Sequence, residues 1–169
     1  MTTTKVATFL AHALALEVEA ADRYEELADV MEVHNNSEVA LMFRQMSEFS
    51  RMHGLQVKQR AQGHQLPKLR SWEYRWNTPE PPEVGTPDAT HYLMTAWHAL
   101  SFAMENERRG LTYYASVAAD SDDAEVRRLA AEMAEEEREH VATLERWLAR
   151  TPKPSADWSE DPDPVAMID

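Results

Sequence analysis

Residues 121–152, SDDAEVRRLAAEMAEEEREHVATLERWLARTP, decide the fold. Val126, Leu129, Met133, Leu144 and Trp147 recur at three- and four-residue steps, the spacing that places side chains on one face of an α-helix. Ser121, Asp122 and Asp123 bring N-cap chemistry to its start. Pro152, with no N–H to donate and a ring that clashes with the preceding turn, ends it. Two polar residues, Glu137 and His140, stand on that apolar face, three apart and therefore on adjacent rows.

The same pattern recurs through the chain. Val6, Leu10, Ala13, Ala20, Tyr24, Leu27 and Met31 form one stripe, which predicts a helix over about 5–33 with Glu17 inside it. His34, Asn35, Asn36 and Ser37 read as a turn, with Ser37 placed to cap a second helix. The stripe of that helix runs Val39, Met42, Phe43, Met46, Phe49, Ser50, His53, Val57. A third stripe, Leu93, Ala96, Trp97, Leu100, Met104, Glu107, Leu111, Tyr114, Ala118, again holds one glutamate. All nine prolines lie within 67–87 and 152–164, which leaves the rest of the chain free to be helical. Short turns join helices one to two and three to four, and the connection at 64–87 is long enough to run the length of a bundle. The expectation is all-α: an antiparallel four-helix bundle over 1–150 with one long crossover between helices two and three. An acidic, proline-rich tail at 151–169 is expected to be flexible or to act as a docking arm.

Composition narrows the chemistry. The chain has no cysteine, so any metal must sit on His and carboxylate. Thirty acidic against 17 basic residues give a net charge of -13, a field that repels phosphate backbones and anionic lipid, so neither nucleic acid nor a membrane is an expected partner. Trp72, Tyr74 and Trp76 interleave with Lys68, Arg70 and Arg75, but without a second basic patch this reads as packing over the bundle or a homodimer partner. Val6–Leu16 is helix-periodic and flows into Glu17 without a cleavage site, and no apolar run approaches bilayer length, so a cytoplasmic location is expected.

The two halves of the chain also resemble each other. Helix two laid on helix four pairs Glu38 with Glu125, Met46 with Met133, Arg51 with Arg138 and His53 with His140. Helix one laid on helix three pairs Glu17 with Glu107 and Tyr24 with Tyr114. Each Tyr follows its Glu by two turns on the same face. Buried carboxylates cost several kcal/mol unless compensated, and no Lys or Arg occupies the stripes near Glu17, Glu107 or Glu137. A divalent cation is the remaining compensation, and a dry Glu/His cluster suits iron or manganese. Glu19, Glu48, Glu105 and Glu135 fall about 200 degrees around their helices and belong to solvated faces. His91, His98 and Glu105 line up on another face, read as solvated or interfacial. Met42, Met46, Met52, Met104 and Met133 read as core filler.

Glu17 with Tyr24, Glu107 with Tyr114, and the block Ala134–Val141 containing Glu137-Arg-Glu-His140 resemble the ligand pattern of the ferritin-like superfamily. The match is closest to its rubrerythrin-like, di-iron carboxylate branch, over about residues 5–150. The resemblance implies a non-haem iron oxidoreductase acting on dioxygen or peroxide, with one or two irons per chain and manganese as a substitute. Glu137 would bridge or chelate, Glu17 and Glu107 would be terminal ligands, and His53 and His140 nitrogen donors. Tyr24 and Tyr114 would hydrogen-bond ligand carboxylates. Two departures stand out. Ser50 occupies the position where the pattern has a second bridging Glu, and no Cys-rich rubredoxin domain is present, which implies a separate electron donor. Three carboxylates leave a pair of divalent ions one negative charge short, a gap that a hydroxide, a bound carboxylate or a water held by Ser50 would fill. The alternatives are a mononuclear metal-binding protein, or a non-catalytic interaction module on a decayed ferritin-like bundle.

Overall fold

The computed structural model describes residues 4–69 and 93–155. Four α-helices form a bundle: α1 (Lys5–Val33), α2 (Ser37–Arg60), α3 (Ala96–Asp120) and α4 (Ala124–Arg150). No strand occurs among the described residues. α1 pairs with α2 and α3 with α4 as antiparallel hairpins. Thr4 caps α1, its hydroxyl accepting from the Ala7 N–H, and Asp123 caps α4, accepting from the Glu125 and Val126 N–H groups at 3.0 Å. The first turn passes through Asn35 at φ 60°, a left-handed conformation that Asn tolerates better than most residues.

The structure differs from the sequence expectation at four points. The cap position of α2 is Asn36, one residue before Ser37, and its amide donates to the Met94 carbonyl instead of closing the helix end. α3 begins at Ala96 rather than Leu93. There the Thr95 hydroxyl and the His98 ring form a reciprocal capping box, with His98 Nδ1 accepting from the Thr95 N–H at 3.1 Å. On α2, Phe49 and Met52 are exposed while Ser47, Ser50 and Gly54 are buried. The α2 core face thus runs Val39, Phe43, Met46 and Ser47, Ser50, Gly54, Val57. It is a face of small residues that carry little hydropathy, so the larger neighbours Phe49 and Met52 misplaced its centre. Trp147, expected on the apolar face of α4, is 37 % exposed.

The contact between Asn36 and Met94 brings the start of α3 to the turn between α1 and α2. α2 and α3 therefore run parallel, and the two ends that the 64–87 connection must join lie about 36 Å apart, the length of a 24-residue helix. Most of that connection lies outside the described residues, as do Arg70, Trp72, Tyr74, Arg75, Trp76 and His91 and most of the expected tail. No described helix is long and apolar enough to cross a membrane.

The core has two apolar clusters. One gathers Tyr24, Leu27, Met31, Phe43, Leu100 and Phe102, and the other Phe9, Leu10, Val57, Tyr114, Leu129 and Met133. Each large apolar side chain fully buried there is worth about 1.5–3 kcal/mol. Between the clusters in sequence, on all four helices, lie the polar residues Glu17, Ser50, His53, Glu107, Glu137 and His140.

Candidate metal centre

Each helix brings its polar residue inward because the flanking apolar residues one turn either side fix its rotation. Ala13, Ala20 and Tyr24 do this for Glu17, and Met133, Val141 and Leu144 for Glu137. Glu17 and Glu137 are each 4 % exposed, Ser50 3 %. The Glu107 side chain is 13 % exposed, that of His53 16 % and that of His140 32 %. Glu19, Glu48, Glu105 and Glu135 point to solvent.

The two hairpins meet ring to ring. His53 and His140 stack with centroids 4.3 Å apart and planes 12° from parallel. Nδ1 of His53 lies 3.6 Å from Glu17 Oε2, and Nδ1 of His140 lies 3.5 Å from Glu107 Oε2 and 3.4 Å from Glu137 Oε2. Donor atoms of His53, Glu137 and His140 all fall within 4.8 Å of one another, close enough for one cation. The structure thus brings all five expected ligands into one cluster and sets Ser50 at its edge.

Electrostatics make this an unusual assembly for a protein core. Burial, then hydrogen bonding to Glu107, pushes the Glu137 carboxyl up to about 9. Burial also raises Glu17. Burial alone would raise Glu107 too, but its hydrogen bonds to Glu137 and His140 win and hold it below the usual carboxylate range. Glu107 and Glu137 together lift His140 to about 10. No Lys or Arg among the described residues ion-pairs with Glu17, Glu107 or Glu137. Protons carried by Glu137 and His140 therefore balance the cluster, in the place where a divalent cation would do so more completely.

Two buried tyrosines face the cluster from its two ends. Tyr24 packs on Phe43 and Phe102, and Tyr114 on Phe9. Burial, together with the Glu107, Glu137 and Glu17 carboxylates, pushes both phenols far above their ordinary range. Neither hydroxyl has the expected hydrogen bond to a carboxylate; both are buried without a full hydrogen bond among the described residues, with the Asn106 side chain beside Tyr24. An orphaned buried hydroxyl costs about 1–3 kcal/mol. Two of them within electrostatic reach of Glu17, Glu107 and Glu137 fit a centre that gains further oxygen ligands once filled.

Sequence reading passed over two glycines. A Cβ on Gly110 of α3 would stand 3.4 Å from the Glu137 carboxyl carbon, so its bare backbone lets that carboxylate lie against the helix. Gly54 of α2 sits one turn after Ser50 and beside Glu17, where a Cβ would come within 3.8 Å of the Glu17 Cβ. Glycine within a helix costs about 1 kcal/mol against alanine, and that cost was the available signal that something packs closely there.

A four-helix bundle with an inward Glu/His cluster shared by both hairpins defines the ferritin-like class. Comparison with known proteins agrees. The family model for rubrerythrin matches residues 8–83, the first hairpin and the stretch that follows it. The crystal structure of an uncharacterised conserved protein from Magnetospirillum magnetotacticum MS-1 is 56 % identical. It superposes with a TM-score of 0.69 over 90 % of this chain and 99 % of that one. No curated protein matches the sequence. The chain belongs to the ferritin-like, rubrerythrin-type family.

Proposed function

We propose that this chain is a cytoplasmic non-haem iron oxidoreductase of rubrerythrin type, which reduces peroxide or dioxygen with electrons from a separate donor and works as a homodimer. One observation carries the reading: three carboxylates and two imidazoles converge inside the bundle, and no Lys or Arg among the described residues ion-pairs with Glu17, Glu107 or Glu137. Bound iron, one or two ions per chain, would supply the one-electron redox chemistry, and manganese suits the same oxygen and nitrogen donors.

The chain's own residues supply the rest. Glu17 and Glu107 would neutralise charge from opposite hairpins, and Glu137 stands beside Glu107, its carboxylate backed by Gly110. His53 and His140 present nitrogen. Glu137 and His140 each hold a proton that metal binding must displace. Tyr24 and Tyr114 offer hydrogen-bond donors at either end, and the two apolar clusters close the bundle on both sides of the centre. The test is consumption of hydrogen peroxide by the iron-loaded protein with an artificial reductant. Turnover that disappears in Glu107→Ala and His140→Ala is expected; turnover unchanged in both would overturn the assignment.

A second reading rests on the close grouping of His53, Glu137 and His140. Two imidazoles and one carboxylate around a single ion would make a mononuclear centre with open positions. Metal stoichiometry separates the two.

A further inference from the structure

The row Phe43, Ser50, Val57 of α2 points into the bundle, and on the opposite side of the same helix stands a second apolar row. Leu41, Phe49, Met52 and Leu55 are between 45 and 60 % exposed. At about 100 degrees per residue all of them lie within about 60 degrees of Met52. Among the described residues every exposed Leu, Phe or Met side chain is on this face. Gln45, Gln56 and Gln59 fill the gaps without charge, and the one ionised group on the stripe, Glu48, has Arg51 at 3.9 Å. Single exposed apolar residues are ordinary, but a contiguous row of them marks a surface that meets a partner.

The likeness of the two hairpins supplies the control. In the alignment that pairs His53 with His140, Leu41, Phe49 and Met52 fall on Arg128, Glu136 and Glu139 of α4, and Gln45 falls on Glu132. Arg128 pairs with Glu125 and Glu132 in solvent, and Glu136 reaches Arg60. One position in the fold is thus charged on α4 and apolar on α2, a difference that the bundle itself does not require. We propose that a second copy of this chain docks on the outward face of α2, helix against helix about a two-fold axis. Charge favours that occupant. A net charge of -13 draws a basic protein to carboxylate rows such as that of α4, and the α2 face has none to offer. It suits an equally neutral face, and there two chains of like sign approach with least repulsion. From Leu41 to Gln59 the stripe is about 27 Å long. It presents on the order of 600–700 Å² per copy, close to the roughly 800 Å² that each partner buries in a standard interface. The inference rests on the homodimer of the reading above and adds the face that makes it.

Sedimentation equilibrium of the full-length protein, from about 1 to 200 μM, reads the association. Wild type is expected at twice the chain mass, with a Kd on the order of micromolar. Phe49→Glu combined with Met52→Glu gives α2 the residues that α4 carries at the same places. It should weaken the dimer at least about tenfold with the helical circular dichroism unchanged. The chain has no cysteine, so Met52→Cys, or Glu139→Cys as its control, places a single thiol on one face or the other. A short bifunctional thiol reagent should link Met52→Cys chains in pairs and leave Glu139→Cys chains unlinked, which decides the matter even where the charge variant does not fold. Wild type that stays monomeric throughout, as when the chain's own connection or another protein covers the face, overturns the inference and the homodimer together. A dimer that the charge variant leaves intact, or that is linked through Glu139→Cys instead, overturns the inference alone and leaves the homodimer standing.

Discussion

In the first hairpin the centre is met by Glu17, His53 and Ser50; in the second it is met by Glu107, His140 and Glu137. The helix geometry is alike, with a glutamate on the first helix and a histidine on the second, each pair at about the same separation, 3.6 Å in one and 3.5 Å in the other. The residue one turn before the histidine differs. Where it is Glu137, the carboxylate packs on Gly110, shares hydrogen bonding with Glu107 and, after Glu107, helps lift His140 to about 10. Where it is Ser50, the side chain lines a solvent-open cavity together with Glu17, Asp22, Arg51 and Lys58. One position thus separates a side with two carboxylates from a side with one.

The comparison breaks most completely if its charged side is removed. Glu137→Ala or His140→Ala should abolish metal binding while far-ultraviolet circular dichroism keeps its helical signal, since neither side chain belongs to the apolar clusters. Full metal occupancy in both variants would mean the second hairpin is not the anchor. Next in size is Ser50→Glu, which makes the hairpins alike. It should raise occupancy toward two metals per chain or tighten the weaker site, since the cavity has room for the side chain and overpacking, at about 1–3 kcal/mol, is avoided. Metal titration checks this, and no gain in stoichiometry or affinity would show that another group already completes the centre.

Acidity sharpens the contrast further. Glu137 carries a proton when folded up to about 9, against 4.5 ordinarily, and His140 up to about 10, against 6.5. Both folded values are raised, so their contribution to stability is full below the ordinary values and is lost as pH rises through the folded ones. Glu107, held low, contributes with the opposite sign and loses its share in acid. Metal-free protein should therefore lose several degrees of melting temperature between about pH 5 and pH 9. Metal affinity should rise over the same window as those protons leave. A melting temperature that climbs with pH in the metal-free form would contradict this.

The smallest effects lie at the edges. Gly54→Ala should stabilise the chain by about 0.5–1 kcal/mol through helix propensity, its Cβ meeting only ordinary contacts at 3.8 Å, with metal content unchanged in denaturant and metal assays. Removing residues beyond 151 should leave helicity and metal content intact. It would remove the contact of Lys153 with the Trp97 ring, worth about 0.5–1 kcal/mol at an exposed position.

Much of this was legible in the chain. The α1 and α4 faces follow from large apolar residues at helical spacing, so Glu17, Glu137 and His140 could be placed inward from periodicity alone. α2 was harder, because its core face is built on Ser47, Ser50 and Gly54, whose burial hydropathy does not report; Ser47 is held there by donating to the Ala21 carbonyl at 3.0 Å. The start of α3 depends on a hydrogen-bonded His98 cap that resembles a surface histidine in sequence. Ser50 was visible as a missing ligand. The cavity was not, since it needs Gly54 one turn further on and the Leu14 and Glu17 side of α1 opposite. The unpartnered hydroxyls of Tyr24 and Tyr114 were also out of reach, because spacing gives a residue's face and not the last ångström of its hydroxyl.

The central claim is that Glu17, His53, Glu107, Glu137 and His140 form one metal centre built from both hairpins. Iron per chain, measured by elemental analysis after anaerobic loading and removal of free metal, tests it most directly in wild type and in a Glu17→Ala, His140→Ala variant with one ligand taken from each hairpin. One to two irons per chain in wild type and none in the variant is the predicted result. Wild-type protein without stoichiometric iron, or a variant that retains it, would contradict the account.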